Sequence, residues 1–98
     1  MTFDFEKERM TAFSNEGTPI GLIRFPRIRA GLVNIEQFFL YPEFRDKGME
    51  EYMMEALLTH LQQTHQKAAL SCPFAQQYIS THPQWKELLP GKLHFTTH

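Results

Sequence analysis

The chain has 98 residues, of which 42% are hydrophobic, 13% aromatic and 21% charged, and its formal net charge is -1. This length and composition indicate one globular domain over residues 1–98 rather than a disordered chain. The near-neutral charge excludes a global basic field, so we predict neither a nucleic-acid nor a membrane partner. A single cysteine excludes an intrachain disulfide and a thiol-rich zinc site.

The N-terminal segment carries charges where a signal peptide would carry an apolar stretch. Met1 to Met10 contains three acidic and two basic residues, and no part of the chain approaches the ~20 apolar residues of a transmembrane helix. We therefore expect a cytoplasmic location, where Cys72 would be a free thiol.

The first third of the chain predicts a hairpin followed by a long strand. Arg9–Ser14 and Pro19–Phe25 are apolar strand candidates separated by the turn sequence Asn15-Glu16-Gly17-Thr18. Leu32–Leu40 is the longest strand candidate and stops at Tyr41-Pro42. Between them, Arg24, Arg27 and Arg29 form a small basic cluster, interpreted as a solvated loop or as a site for an acidic partner or a phosphate.

The best helix candidate follows, from about Lys47 to Gln66. Its apolar residues recur every three or four positions on one face, namely Met49, Tyr52, Met53, Ala56, Leu57, His60 and Leu61. Ala68–Cys72 predicts a short buried strand. Strand, helix and strand in this order predict a βαβ unit, with Leu32–Leu40 parallel to Ala68–Cys72.

The C-terminal part predicts a second, shorter helix. It covers Phe74–Ser80, begins near Pro73 and is closed by His82-Pro83. Gln84–Leu89 predicts one more turn with Trp85 and Leu88 facing the core, and Pro90–His98 a tail with an extended segment at Leu93–Thr96. The predicted class is α/β: a mixed sheet with an N-terminal antiparallel hairpin, one long helix and a short C-terminal helix.

The junction between the long strand and the long helix could bind a phosphate group. Its sequence, Arg45-Asp46-Lys47-Gly48-Met49-Glu50, places a glycine where a strand feeds a helix. Unpaired N–H groups at such a helix start carry partial positive charge, which suits an anion. Arg-x-x-Gly alone is a weak signal, because a glycine in a strand-to-helix turn is usually only a turn.

Two segments together resemble the GNAT acetyltransferase superfamily. Pro42 to Met49 resembles its acetyl-CoA loop. Ser71-Cys72-Pro73-Phe74-Ala75-Gln76-Gln77-Tyr78-Ile79-Ser80-Thr81-His82-Pro83 is similar to a Cys-Pro-Tyr/Phe run of its small members, which have about 100 residues. The resemblance covers Leu32 to about Leu89, and the second motif is the more specific one.

The resemblance implies a GNAT-like acyl-CoA N-acyltransferase fold and a direct transfer of acetyl from acetyl-CoA to an amine. The pyrophosphate would lie on the backbone of Arg45, Asp46, Lys47, Gly48, Met49 and Glu50, and the thioester between two parallel strands that splay apart. Cys72 and Tyr78 are the matching candidates for protonating the thiolate that leaves. Their alternative roles are structural, as a small buried residue and a core aromatic.

Two positions depart from the family pattern. Glu50 stands where a small residue is usual, and it would place a carboxylate where pyrophosphate approaches the backbone. Gln37-Phe38 replaces a His-Thr pair, so the usual base is missing, and Glu36 is the nearest carboxylate. These departures degrade the CoA loop and favour the alternative function, a non-catalytic GNAT-like module that binds CoA or a protein.

The remaining predictions concern metals and self-association. The five histidines have no metal-ligand spacing with Cys72, so we predict no metal cofactor, and acetyl-CoA is a substrate. Phe38 and Phe39 point to opposite faces of one strand, which leaves a homodimer formed through the sheet as an alternative to a monomer. The acceptor amine is not specified by the sequence.

Overall fold

The computed structural model describes residues 1–91. Within them the chain forms seven strands and two α-helices: β1 Thr2–Phe5, β2 Arg9–Phe13, β3 Pro19–Arg24, β4 Arg27–Arg29, β5 Leu32–Ile35, β6 Gln37–Leu40, α1 Met49–Gln63, β7 Lys67–Leu70 and α2 Pro73–Thr81. Short 3₁₀ helices cover Pro42–Phe44 and Pro83–Leu88. The expected extended segment at 93–96 lies outside the described residues.

The strands form two sheets, and the chain passes directly between them twice, from β3 to β4 and from β5 to β6. The larger sheet has the order β1-β2-β3-β6 and is antiparallel throughout. The smaller sheet has the order β4-β5-β7, with β4 antiparallel and β7 parallel to β5. This confirms the predicted mixed α/β class, the hairpin and the parallel pair that flanks the long helix.

The prediction of one strand over Leu32–Leu40 is wrong, because the chain changes sheets at Glu36. The Glu36 amide donates to the carbonyl of Arg24 in β3, and β6 then pairs with β3. The amides of Ser71 and Cys72 donate to the carbonyl of Ile35, at the end of β5. Both halves are apolar, so periodicity shows no break where the pairing partner changes.

Two segments near the N-terminus have more structure than predicted. Residues 2–5, Thr-Phe-Asp-Phe, form strand β1, in which Phe3 and Phe5 are half-buried on one face. The interpretation of the arginine cluster as a loop is wrong: Arg24 ends β3, and Arg27–Arg29 forms the edge strand β4. Short charged strands carry little apolar signal, and their pairing depends on neighbours distant in sequence.

Helix α1 is shorter than predicted, whereas α2 is one residue longer at each end. Helix α1 begins at Met49, because Gly48 before it has a left-handed backbone with φ 77°. It ends at Gln63, where the Thr64 hydroxyl donates to the carbonyl of His60 at 2.8 Å. Strand β7 ends at Leu70 rather than Cys72, because Cys72 already caps α2.

The helices cover one face of the larger sheet. Phe5, Met10, Ile23 and Phe38 are aligned across its four strands and all belong to the core or pack against it. The same core includes Leu57 and its neighbours on α1, Ala75 on α2 and residues of the smaller sheet. No helix within the described residues is long and apolar enough to cross a membrane.

Candidate functional site

The parallel strands β5 and β7 separate at one end, and a gap opens there. Their register runs from Leu32 opposite Lys67 to Ile35 opposite Leu70. Beyond this point β5 continues into β6, which pairs with β3 in the larger sheet, whereas the segment after β7 turns into α2. Among residues 1–91, β6 pairs only with β3, so within this part of the chain its second edge has no strand partner and borders the gap.

The gap is a cavity of about 350 Å³, which we call the strand gap. Three elements line it, namely β6, the start of α1 with the segment before it, and the start of α2. The lining residues are Phe38, Phe39, Leu40, Arg45, Glu50, Cys72, Pro73 and Phe74. The cavity is therefore mainly apolar, with one guanidinium, one carboxylate and one thiol.

Cys72 is held at the base of the strand gap by backbone hydrogen bonds. Its amide donates to the carbonyl of Ile35 at 3.1 Å, and its carbonyl accepts from Gln76 at 3.0 Å. The Gln76 side chain also donates to the carbonyl of Leu70 at 2.9 Å. Pro73 occupies the first helical position, where its missing N–H costs nothing. The thiol is buried at this turn.

The segment 45–50 closes the cavity at the helix start. Arg45 donates its Nε–H to the carbonyl of Leu40 at 2.9 Å, which fixes the segment to the end of β6. Asp46 and Gly48 both have left-handed backbone, with φ 62° and 77°. The amides that follow belong to the first turn of α1, where N–H groups lack helical partners. This turn therefore presents donors beside the strand gap.

A second cavity of about 530 Å³, the helix groove, lies on the other side of this turn. Its lining residues are Lys47, Gly48, Glu51, Tyr52, Glu55 and Tyr78. The segment and the two cavities together carry the cations of Arg45 and Lys47 and the anions of Asp46, Glu50, Glu51 and Glu55. The local net charge is thus negative. It repels an anionic ligand and offsets the partial positive charge at the start of α1.

The Tyr78 hydroxyl is already engaged. It donates to Oε1 of Glu55, and the same oxygen accepts the Trp85 indole N–H at 3.3 Å. Burial first, and then the hydrogen bond and charge of Glu55, raise the pKa of Tyr78 above its ordinary value. The ring stacks on His82 with centroids 3.9 Å apart. Glu55 thus joins α1 to α2 and to the C-terminal 3₁₀ helix.

The predicted site residues divide between the two cavities. Arg45, Glu50 and Cys72 line the strand gap, whereas Lys47, Gly48 and Tyr78 line the helix groove. Asp46 is exposed on the connecting turn, and Met49 is half-buried against the core. The structure therefore does not place Cys72 and Tyr78 in the same cavity.

The departing pair Gln37-Phe38 also has a defined place. Gln37 is exposed, and Phe38 is half-buried, with its ring edge-on to Phe74 at 5.0 Å. Glu36, the nearest carboxylate in sequence, is paired with Arg24 at 3.1 Å. Among the described residues no imidazole lines the strand gap, and the carboxylate of Glu50 and the thiol of Cys72 are the ionisable groups there that could accept a proton.

Three further residues belong to the site although the sequence pattern does not indicate it, namely Phe39, Phe74 and Glu55. Phe39 and Phe74 lack any chemical signature beyond their apolar character. Helical periodicity places Glu55 on the polar face, opposite the apolar stripe of the long helix. Its role follows from two aromatic donors, Tyr78 and Trp85, which need an acceptor once buried.

Within residues 1–91 no cluster of three or more His, Cys, Asp or Glu side chains could hold a metal ion.

Comparisons with known proteins agree with this architecture. A family profile described as GCN5-related N-acetyl-transferase matches residues 9–88. The NMR structure of a GCN5-like protein from Staphylococcus aureus superposes with a TM-score of 0.71 at 16% identity, covering 99% of this chain and 95% of that one. A GNAT-family acetyltransferase from Streptococcus pneumoniae gives 0.51 at 16% identity, over 78% and 56% of the two chains. A search of curated proteins found no match.

Proposed function

This chain belongs to the GCN5-related N-acetyltransferase family, and we propose that it transfers an acetyl group from acetyl-CoA to an amine. The strand gap is the observation that carries this proposal. It brings together an unpaired strand edge, a helix start and a mainly apolar cavity of about 350 Å³. The amide-bearing arm of acetyl-CoA suits the strand edge and the apolar cavity. Its pyrophosphate suits the helix start.

In the proposed complex the amide-bearing arm of the cofactor lies along the free edge of β6. Backbone groups of β6 that β3 does not use would bond to the amides of the arm, as an added strand does. The pyrophosphate would accept from the amides of the segment 45–50, while Arg45 and Lys47 supply positive charge. The thioester would then lie near Cys72, Phe38 and Phe74.

The reaction requires three changes at the thioester. The neutral amine forms a bond to the carbonyl carbon, the C–S bond breaks as the tetrahedral intermediate collapses, and the CoA thiolate takes up a proton while the amine loses one. Cys72 lines the cavity and can supply the proton to the sulfur, receiving one back through solvent. Glu50 is the carboxylate in reach of the same space.

Tyr78 is the less favourable proton donor of the two predicted residues. To protonate the thiolate it must give up its bond to Glu55. Its pKa is raised above 10, whereas an ordinary thiol has a pKa of about 8.5, so the transfer would run uphill. We propose that Tyr78 mainly positions Glu55 and the second helix.

Titration with acetyl-CoA, followed by ¹⁵N–¹H correlation NMR, tests this proposal. We expect the amide signals of Phe38, Phe39 and residues 45–50 to shift at millimolar ligand. The hairpin turn at residues 15–18 is the internal control and should not move. Absence of shifts at millimolar acetyl-CoA, or shifts confined to other surfaces, would contradict the proposal.

A second candidate function is a non-catalytic module that binds CoA or a protein. The observation that favours it is Glu50, whose carboxylate lines the cavity that the cofactor would enter. The two functions differ in turnover. Release of free CoA thiol from acetyl-CoA in the presence of spermidine or lysine peptides, lost in Cys72→Ala, would support the enzyme. Binding without turnover on any of these amines would support the module.

A further inference from the structure

Half of the basic residues of this chain surround one open groove away from the strand gap. The groove has a volume of about 840 Å³. Its lining residues are Glu6, Lys7, Glu8, Arg9, Arg24, Arg27, Ile28, Arg29 and Ala30. Five of the ten Lys and Arg residues therefore line it, against two of the eleven Asp and Glu residues. We call this surface the arginine groove.

Three of these cations have no anionic partner among the described residues. Arg9 is paired with Glu6 at 2.8 Å and Arg24 with Glu36 at 3.1 Å. Lys7, Arg27 and Arg29 are exposed, and no side-chain hydrogen bond or ion pair occupies them within residues 1–91. A chain of net charge -1 that leaves unpaired cations together on one surface attracts anions there.

The groove already holds one carboxylate of this chain. Oε2 of Glu8 accepts the backbone N–H of Arg27 at 3.0 Å. This N–H belongs to β4, the edge strand of the smaller sheet, all three residues of which are exposed. Ile28, at the centre of β4, is 51% exposed. An edge strand with an exposed apolar residue between two arginines suits an extended peptide with acidic side chains.

We propose that the arginine groove is a docking site for an extended acidic peptide segment. The segment would lie along β4, its carboxylates facing Arg27, Arg29 and Lys7, and an apolar side chain would cover Ile28. Charge complementarity selects this partner, and the edge of β4, which no other strand of residues 1–91 covers and where Glu8 accepts only the Arg27 N–H, favours an extended backbone.

The groove and the strand gap involve consecutive positions of the β3–β6 pair, which face opposite sides of the larger sheet. Arg24, which lines the groove, is the strand partner of Gln37. Gln37 directly precedes Phe38, which lines the strand gap. A chain that continues from the groove past Gln37 would have to cross this edge of the sheet to bring an amine to the thioester. This placement rests on the proposed acetyltransferase function, whereas docking of the acidic segment does not.

Fluorescence anisotropy with a labelled octapeptide of alternating Glu and Val tests the docking site. We expect binding that weakens by at least tenfold between 25 and 250 mM NaCl, since screening acts on exposed charges. We expect Arg27→Gln and Arg29→Gln each to weaken binding by about two- to fivefold. Lys86→Gln, which removes an exposed charge from the C-terminal 3₁₀ helix, is the matched control and should bind as the wild type does.

Several outcomes would overturn the proposal. The first is that a peptide with Gln in place of Glu binds as tightly as the acidic peptide. The second is that Lys86→Gln weakens binding as much as the arginine substitutions do. The third is that a thymidine oligonucleotide of the same length binds more tightly than the peptide. Displacement of the peptide by adenosine 3′,5′-bisphosphate would instead assign the groove to a CoA phosphate. Peptide binding by a protein that does not bind acetyl-CoA would leave the docking site standing and remove the proposed enzyme function.

Discussion

Glu50 is the residue that most directly opposes cofactor binding. It lines the strand gap at the first turn of α1, where amides without helical partners attract anions. Its carboxylate also benefits from this position, since acidic residues in the first turn stabilise a helix. The same residue thus supports the helix and repels the phosphates that the helix start would bind.

We expect Glu50→Gln to tighten acetyl-CoA binding by about fivefold at low salt. A pair of like charges about 4 Å apart costs roughly 1 kcal/mol in water, and the substitution removes it while keeping the shape of the side chain. Calorimetric titration measures the affinity. Glu16→Gln, in the hairpin turn, is the control and should leave it unchanged. Unchanged affinity in Glu50→Gln would mean that the carboxylate does not face the phosphates.

Tyr78 should make stability depend on pH in the alkaline range. Its pKa in the folded protein is raised above the ordinary value of 10.0, so the folded state keeps the proton longer than the unfolded state does. The resulting stabilisation is complete below about pH 10 and is lost as the pH rises towards the folded pKa.

We therefore expect the free energy of unfolding to fall between pH 10 and 11.5, and Tyr78→Phe to reduce this fall. Guanidinium unfolding at several pH values measures both curves. Tyr52→Phe, at an exposed ring on α1, is the control and should retain the wild-type slope. The same slope in Tyr78→Phe as in the wild type would contradict the assignment.

At the scale of elements, the approach of β3 to β6 decides the shape of the strand gap. A Cβ atom at Gly21 would lie 2.3 Å from the carbonyl oxygen of Phe39 and 3.0 Å from the Cα of Leu40. Both are backbone atoms, so a rotamer change cannot relieve the contact. Glycine at this position therefore lets the strand that borders the cavity lie close to its neighbour.

We expect Gly21→Ala to destabilise the protein by about 1–3 kcal/mol and to shift the amide signals of β6. Gly17→Ala is the control for the β6 amide signals and should leave them unchanged, because a Cβ there meets nothing within 4 Å and acts only through local backbone strain at φ 88°. Guanidinium unfolding and amide NMR measure the two effects. If Gly21→Ala were as stable as the wild type with unchanged β6 signals, the close approach would not constrain this edge.

At the scale of the whole molecule, one continuous core joins both sheets to both helices. The core includes Met10 and Ile23 of the larger sheet, Ile35 of the smaller sheet and Trp85 of the C-terminal 3₁₀ helix. The Trp85 indole also contacts Glu55 on α1. Elements that share one core are expected to unfold together.

We expect tryptophan fluorescence and far-UV circular dichroism to report coincident guanidinium unfolding transitions. Trp85 is the one tryptophan of the chain, so its fluorescence follows the docking of the 3₁₀ helix on α1. An earlier transition in fluorescence than in circular dichroism would show that this helix undocks separately from the sheets.

The hairpin, the long amphipathic helix, the parallel strand pair and the resemblance carried by the two motifs are all predictable from the sequence. These features depend on local turn residues, on periodicity and on consecutive residues, all of which are visible in one chain. The sequence also shows that Glu50 and Gln37-Phe38 depart from the family pattern.

Which of these residues contact one another or share a cavity depends on the tertiary structure. The change of sheet at Glu36, the separation of Cys72 from Tyr78 and the engagement of the Tyr78 hydroxyl by Glu55 all depend on contacts between distant segments. The arginine groove likewise joins residues of the turn before β2 to β4. Hydrogen-bond partners and shared cavities arise from packing in three dimensions, and residue spacing along the chain does not encode them in a readable form.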